Sequence, residues 1–166
     1  MASPRDVRRL ALLALYQLDL RGGADPELVR DSLDDAESFV EEGLALADPS
    51  SKLGAKDLDK AFALAQGAYE HHESADRELG ELSTEWRVER MPAVDRAILR
   101  LAHYEMTVLE DGKPRASVHE AVELAKQFST KESPGFVNAL LDRVLKRLQV
   151  GSEAGPDLGS DVGGEG

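Results

Sequence analysis

An all-α fold is predicted by three features of this 166-residue sequence. Apolar residues recur three and four apart in segment after segment, no stretch sustains the two-residue alternation of β-branched residues that a strand needs, and Pro or Gly punctuates most intervals between them. About seven helices follow, in a chain long enough for one body or for two small helical subdomains that share a core.

Taken in order, Ser3 and Pro4 supply a cap and a first-turn proline for a helix that ends at the Gly22-Gly23 pair. Asp25-Pro26 repeats the start signal, and Val29, Leu33, Ala36, Val40 and Leu44 share one face of a second helix that Asp48-Pro49-Ser50-Ser51 breaks. A third, from about Asp57 to His72, carries Leu58, Ala61, Phe62, Ala65 and Tyr69 at helical spacing, and a short fourth covers about Ser74 to Leu82. After a Trp86 to Met91 connector, Pro92 opens a long helix whose stripe is Val94, Ile98, Leu101, Ala102 and Leu109, closed by Asp111-Gly112. The sixth spans about Arg115 to Phe128. Ser133-Pro134 starts the last, with Val137, Leu141, Val144, Leu145 and Leu148 as its buried stripe. Residues 151–166 are rich in Gly and acid with almost nothing apolar, so a disordered acidic tail is expected after a folded domain of 1–150.

Composition removes several classes of function. With no cysteine, disulfides, thiolate metal sites and cysteine nucleophiles are excluded, and a reducing cytoplasm suits the chain. The charged Arg5 to Arg9 followed by the apolar run Leu10 to Leu15 imitates a signal peptide, but the run is short, Gln17 and Asp19 interrupt it, and no small-residue cleavage pattern follows. No segment has the length a membrane span requires. His71 and His72 are adjacent on a helix and point apart, His103 and His119 lack metal-ligand spacing, and there is no phosphate-cradling Gly-rich loop or nucleophile elbow. Neither an enzyme nor a cofactor is expected.

The net charge of -12 is unequally distributed. Residues 1–21 hold four bases and two acids and residues 86–150 eleven bases and nine acids, whereas residues 25–60 hold eleven acids against four bases. A local basic surface can therefore exist on an acidic protein.

Two stripes stand out. At 100° per residue, Arg5, Arg8, Arg9, Leu12 and Tyr16 fall on one face of the first helix, opposite Val7, Leu10, Ala11, Ala14 and Leu18. Phe136, Arg143 and Arg147 line a stripe of the last helix in the same way. Guanidinium groups pair with phosphates and an aromatic ring stacks on an unpaired base, so both suit single-stranded RNA. A solvated, salt-bridged helix face explains the first stripe equally simply, and an edge-of-core role explains Phe136. Asp95, in the first turn after Pro92, has a structural reading at a helix N-terminus. Glu105 falls on the apolar face with Val94, Ile98 and Leu101 and requires a partner, for which an arginine is the favoured candidate.

These segments resemble the NusB family of transcription antitermination factors. The opening Arg8-Arg9-Leu10-Ala11-Leu12-Leu13-Ala14-Leu15-Tyr16-Gln17 is similar to the family's arginine-rich first helix, Val94 to Met106 to its central helix, and Val118 to Lys126 with Ser133 to Asp142 to its C-terminal signature. The resemblance implies two small helical subdomains and binding of single-stranded boxA-like RNA together with NusE, the small-subunit ribosomal protein. It also implies a place in the RNA polymerase antitermination complex on ribosomal RNA operons. By the same resemblance Arg5, Arg8, Arg9 and Phe136 match positions linked to RNA contact, and Tyr16 and Asp95 match positions on the partner face. Glu132 matches an acidic position that tunes RNA affinity, and Arg96 and Arg100 can serve either surface. With the stripe reading, the expected RNA surface is Arg5, Arg8, Arg9, Tyr16, Glu132, Phe136, Arg143 and Arg147, and the expected partner surface Tyr16, Asp95, Arg96 and Arg100. His119 stands where the family usually has Asn, Ala139 where it usually has Gly, and Gly135 where a basic residue is common. Two other readings go with the resemblance. NusB-like domains front some ribosomal RNA cytosine methyltransferases, which need a further domain with catalytic cysteines, and a homodimer or protein-interaction module can hide its RNA surface.

Overall fold

The computed structural model describes residues 4–35, 54–109 and 112–165, with side chains as far as Gly151 and without that of Asp35. Among these residues there are seven α-helices and no strand: α1 (Pro4–Leu20), α2 (Pro26–Ser32), α3 (Ala55–Glu70), α4 (His72–Leu82), α5 (Ala93–Thr107), α6 (Pro114–Phe128) and α7 (Ser133–Glu165). Short 3-10 turns cover Leu33–Asp35 and Val88–Arg90. The expected second helix is described only to Asp35, so its continuation through Leu44 lies outside the described residues. The backbone of α7 runs beyond the expected end, and the expected disorder of 151–166 concerns residues whose side chains are not described.

Local chemistry sets the boundaries. Gly22 and Gly23 end α1 with φ of 62° and 82°, and a Cβ on Gly23 would lie 2.7 Å from the Tyr69 ring, so a side chain there is opposed by both conformation and space. Proline occupies the first turn of α2 and of α6. The backbone N–H of Gly54 donates to the Asp57 carboxylate at 3.1 Å, closing the start of α3.

Helix α5 is the hub, packed against α1, α3, α4, α6 and α7. On one side of it α1, α2 and α3 form a first group; on the other, α6 lies along α7, and α4 leans on α7. A continuous core runs through both, with Leu10, Leu15, Ile98, Leu99, Leu140 and Val144 all without exposed surface. Helix α1 is buried on two sides, because α3 covers one face and α5 another. Leu12, placed by periodicity on the outward stripe, is accordingly in the core at 4% exposure.

A polar network fastens the two groups together. Arg100 on α5 donates from Nε and Nη2 to Asp76 of α4 at 2.9 and 2.6 Å and from Nη1 to Asp19 of α1 at 2.9 Å; Arg96 donates to the other Asp19 oxygen at 2.8 Å. Burial alone raises the pKa of Asp19, but the hydrogen bonds and charges of Arg96 and Arg100 prevail and hold it below its ordinary value.

At the α3–α4 junction the His71 ring stacks on His103 of α5, centroids 5.5 Å apart, and its Nε2 is buried with no hydrogen-bond partner among the described residues. His103 in turn meets Glu78 at 2.8 Å. Burial, reinforced by the neighbouring His103, lowers the His71 pKa from its ordinary 6.5, against a smaller opposing pull from Glu78. The neutral ring is thus the form compatible with the fold. Its contribution to stability is complete above the unfolded value of 6.5 and is lost as pH falls through the lower folded value. Urea unfolding of the wild type is expected to show its midpoint declining below about pH 6.5, and His71→Phe to flatten that part of the decline, with equal slopes for the two proteins as the contrary result.

Candidate nucleic-acid interface

The three arginines of α1 reach across to α6 and α5, and each meets a different acceptor. Arg5 donates from Nε and Nη2 to the two oxygens of Glu120 on α6, both at 3.1 Å, with 43% of its side chain still exposed. Arg8 donates from Nε to Glu105 of α5 at 3.2 Å, and the buried Ser117 hydroxyl donates to the same carboxylate at 3.1 Å. Arg9 donates to the fully buried Asp6 at 3.0 Å and to the exposed amide oxygen of Gln127 at 2.8 Å. The pair of Arg5 and Glu120 is mutually reinforcing: their hydrogen bond raises the arginine pKa and holds the carboxyl below its ordinary range.

These surroundings divide the arginines: 43% of the Arg5 side chain is exposed, against 24% for Arg8 and 13% for Arg9. Arg8 answers the carboxylate that the sequence places on the apolar face of α5, and its guanidinium belongs to the core boundary. Arg5 and Arg9 lie at the edge where α1 meets α6, Arg5 opposite the half-buried Glu120 and Arg9 between the buried Asp6 and the exposed Gln127. Further along the same stripe, Tyr16 lines an apolar groove of about 170 Å³ with Leu12, Leu13, Val94 and Phe128.

The remaining expected site residues are placed less openly. Asp95 is fully buried and accepts hydrogen bonds from the hydroxyls of Ser129 and, at 2.8 Å, of Ser133. It fastens the loop between α6 and α7, and any influence on a partner passes through that loop. Arg96 and Arg100 are engaged by Asp19 and Asp76 as described, and Arg100 is almost completely covered. Phe136 is 7% exposed and belongs to the core edge, where its ring meets that of Trp86 with centroids 5.0 Å apart. Glu132 is exposed in the loop ahead of Phe136.

On α7, Arg143 donates to the Leu82 carbonyl at 3.2 Å, and Arg147 to Glu78 and Glu81 of α4 at 3.2 and 2.9 Å. The two arginine-bearing stripes therefore engage different neighbours, α6 and α5 for the first and α4 for the second, and no hydrogen bond or ion pair among the described residues joins them. The partners Asp6, Glu120 and Gln127 and the exposed Trp86 were not singled out from sequence. Asp19 had a signal, because it continues the stripe of Arg8, Leu12 and Tyr16 by helical spacing. Among the described residues no group of three or more His, Asp or Glu side chains could hold a metal ion, and no helix is long and apolar enough to cross a membrane.

Comparison with known proteins places this geometry in context. The family model described as the NusB family matches residues 5–146. A transcription antitermination protein NusB from Symbiobacterium thermophilum is 42% identical over 147 residues, covering 89% of this chain and 92% of the relative. A protein of the same name from Myxococcus xanthus is 37% identical over 89% of this chain and 98% of its own length. Among solved structures, T. maritima NusB superposes with a TM-score of 0.65 at 30% identity, covering 88% of this chain and 93% of that one. The fold also matches, with a TM-score of 0.67 at 24% identity over 86% and 96% of the two chains, that in a crystal structure of the antitermination factors NusB and NusE in complex with double-stranded RNA.

The unequal burial of the arginines has a measurable consequence. Arg8→Ala strands the Glu105 carboxylate at a site where only Ser117 remains to answer it, and is expected to cost about 3 kcal/mol in chemical denaturation. Arg5→Ala removes the more exposed arginine, whose ion pair solvent screens, and is expected to cost clearly less. Equal costs for the two substitutions would falsify the division.

Proposed function

The chain belongs to the NusB family, and on that premise we propose that it is an RNA-binding transcription antitermination factor. In this reading it takes up boxA-like single-stranded RNA of ribosomal RNA operons together with NusE, and the complex joins RNA polymerase in the cytoplasm. It acts by binding and not by catalysis.

The observation that carries the reading is the Arg5 fork held against two oxygens at equal distance while nearly half of the side chain stays exposed. A phosphate offers the same two-oxygen edge, so RNA can replace Glu120 without rebuilding the arginine's conformation. Arg9 supplies the next cation along α1; it keeps its hold on the buried Asp6 and reaches a phosphate by giving up Gln127 alone. The groove at Tyr16 is apolar and lies further along the same helix, a chemistry suited to a protein side chain more than to a phosphate, and we assign it to the partner face. Arg96 and Arg100 hold Asp19, one turn beyond Tyr16 on α1, and Asp95 holds Ser129, which follows Phe128, so both networks brace neighbours of the groove.

Fluorescence anisotropy of a boxA-like single-stranded RNA, titrated with the protein at two salt concentrations with and without cognate NusE, tests the reading. Salt-sensitive binding that tightens when NusE is added is expected. Arg5→Ala with Arg9→Ala should weaken it and reduce the slope of log K against log salt by about 0.7 for each phosphate contact removed. An unchanged slope in that double variant removes these two arginines from the interface, and no binding under any condition removes the RNA-binding reading. In that event size measurement across concentration decides for a homodimer that hides the surface.

A further inference from the structure

We propose that Trp86 is a stacking platform for an unpaired nucleobase. This rests on the RNA-binding reading above and adds to it a contact outside the arginine-bearing helices.

Phe136, the aromatic that the family resemblance links to RNA, cannot present a free ring face in this fold. It is 7% exposed, and the Trp86 ring lies on it at 5.0 Å with an interplanar angle of 54°. The indole is the outer member of the pair, with 42% of the residue in solvent. Among the described residues Trp86 is the one exposed aromatic; the tyrosines and phenylalanines are buried or half-buried.

The backbone that carries the ring is held firmly. The Ser83 hydroxyl donates to the Trp86 carbonyl at 2.6 Å and accepts from the Trp86 backbone N–H at 3.3 Å. Val88, two residues on, is buried in the core, and Arg143 from α7 clasps the Leu82 carbonyl just before the turn. Little backbone entropy remains to be lost in this turn when a ligand settles on the indole.

Charge near the platform is balanced. Arg87 and Arg90 are exposed and form no ion pair among the described residues, but Glu85 and Glu89 are exposed in the same segment. Recognition at Trp86 must therefore come from the ring face, which any base can stack on, more than from phosphate attraction. The contact should contribute affinity that salt does not screen, whereas Arg5 and Arg9 contribute affinity that salt does.

Trp86 is the sole tryptophan of the chain, so its fluorescence reports this position alone. Titration of the full chain, alone and with cognate NusE, with a single-stranded boxA-like RNA is expected to quench that fluorescence in step with binding. Trp86→Ala should weaken binding about tenfold with an unchanged salt slope, and Trp86→Phe should retain most of the affinity. Circular dichroism of both variants verifies that the Phe136 side of the core has survived. RNA binding that depends on Arg5 and Arg9 but leaves the indole signal and the Trp86→Ala affinity unaltered overturns this inference and spares the functional reading. Absence of all RNA binding overturns both. Quenching by NusE alone, with Trp86→Ala binding RNA like the wild type, makes Trp86 a protein contact and also overturns the inference.

Discussion

Glu105 and Asp19 lie near opposite ends of the surface that α1 shares with α5, and arginine answers each of them: Arg8 crosses from α1 to Glu105, and Arg96 and Arg100 cross from α5 to Asp19. The pairing order, early α1 with late α5 and late α1 with early α5, makes the two helices antiparallel. Between the ends the contact is apolar, and apolar surface alone tolerates sliding by a turn. A slide of one turn would leave a buried carboxylate facing leucine instead of guanidinium, at a cost of several kcal/mol. The ion pairs thus fix the register, and because α5 touches every other long helix, that register fixes the position of both helical groups.

A helix gripped in this way has little cationic surface to give away. Of the three α1 arginines, Arg8 is committed to Glu105 and Arg9 in part to the buried Asp6, whereas Arg5, and Arg9 on its Gln127 side, keep acceptors that a ligand can displace. The fold separates structural from available charge along a stripe that looks uniform on a helical wheel. It also explains how a chain with a net charge of -12 can present cations to an anionic polymer: the acids concentrated elsewhere interact with the ligand only over about a Debye length, near 10 Å at 0.1 M salt.

Helix number and most helix boundaries were legible in the sequence, since Pro, Gly and the three- and four-residue apolar spacing act locally. Glu105 was legible too, because a carboxylate among Ile98 and Leu101 demands a partner wherever the chain goes. Leu12 was not. A helical wheel assumes one packed face, and nothing within α1 announces that α3 and α5 cover two. The same blindness affects the last helix, whose Arg143 and Arg147 carry the pattern of a binding stripe but find acceptors on α4 that only the tertiary fold supplies. Trp86 escaped notice for the opposite reason: it sits in a connector without periodicity, and its significance depends on Phe136, fifty residues later in the chain, being underneath it.

Separating charge from stacking has a consequence for how such a surface discriminates. The phosphate contacts proposed for Arg5 and Arg9 are blind to base identity and fade with salt, so alone they would hold any single strand to a similar degree. Displacing Glu120 and Gln127 subtracts from each of those contacts, because the arginine exchanges one acceptor for another and gains only the difference. On the proposed reading, binding by the chain by itself is therefore weak, and additional surface has to come from elsewhere. If the apolar groove at Tyr16 seats a protein, as proposed, that protein's own surface extends the track, and affinity couples to partner binding without any change in the helices themselves.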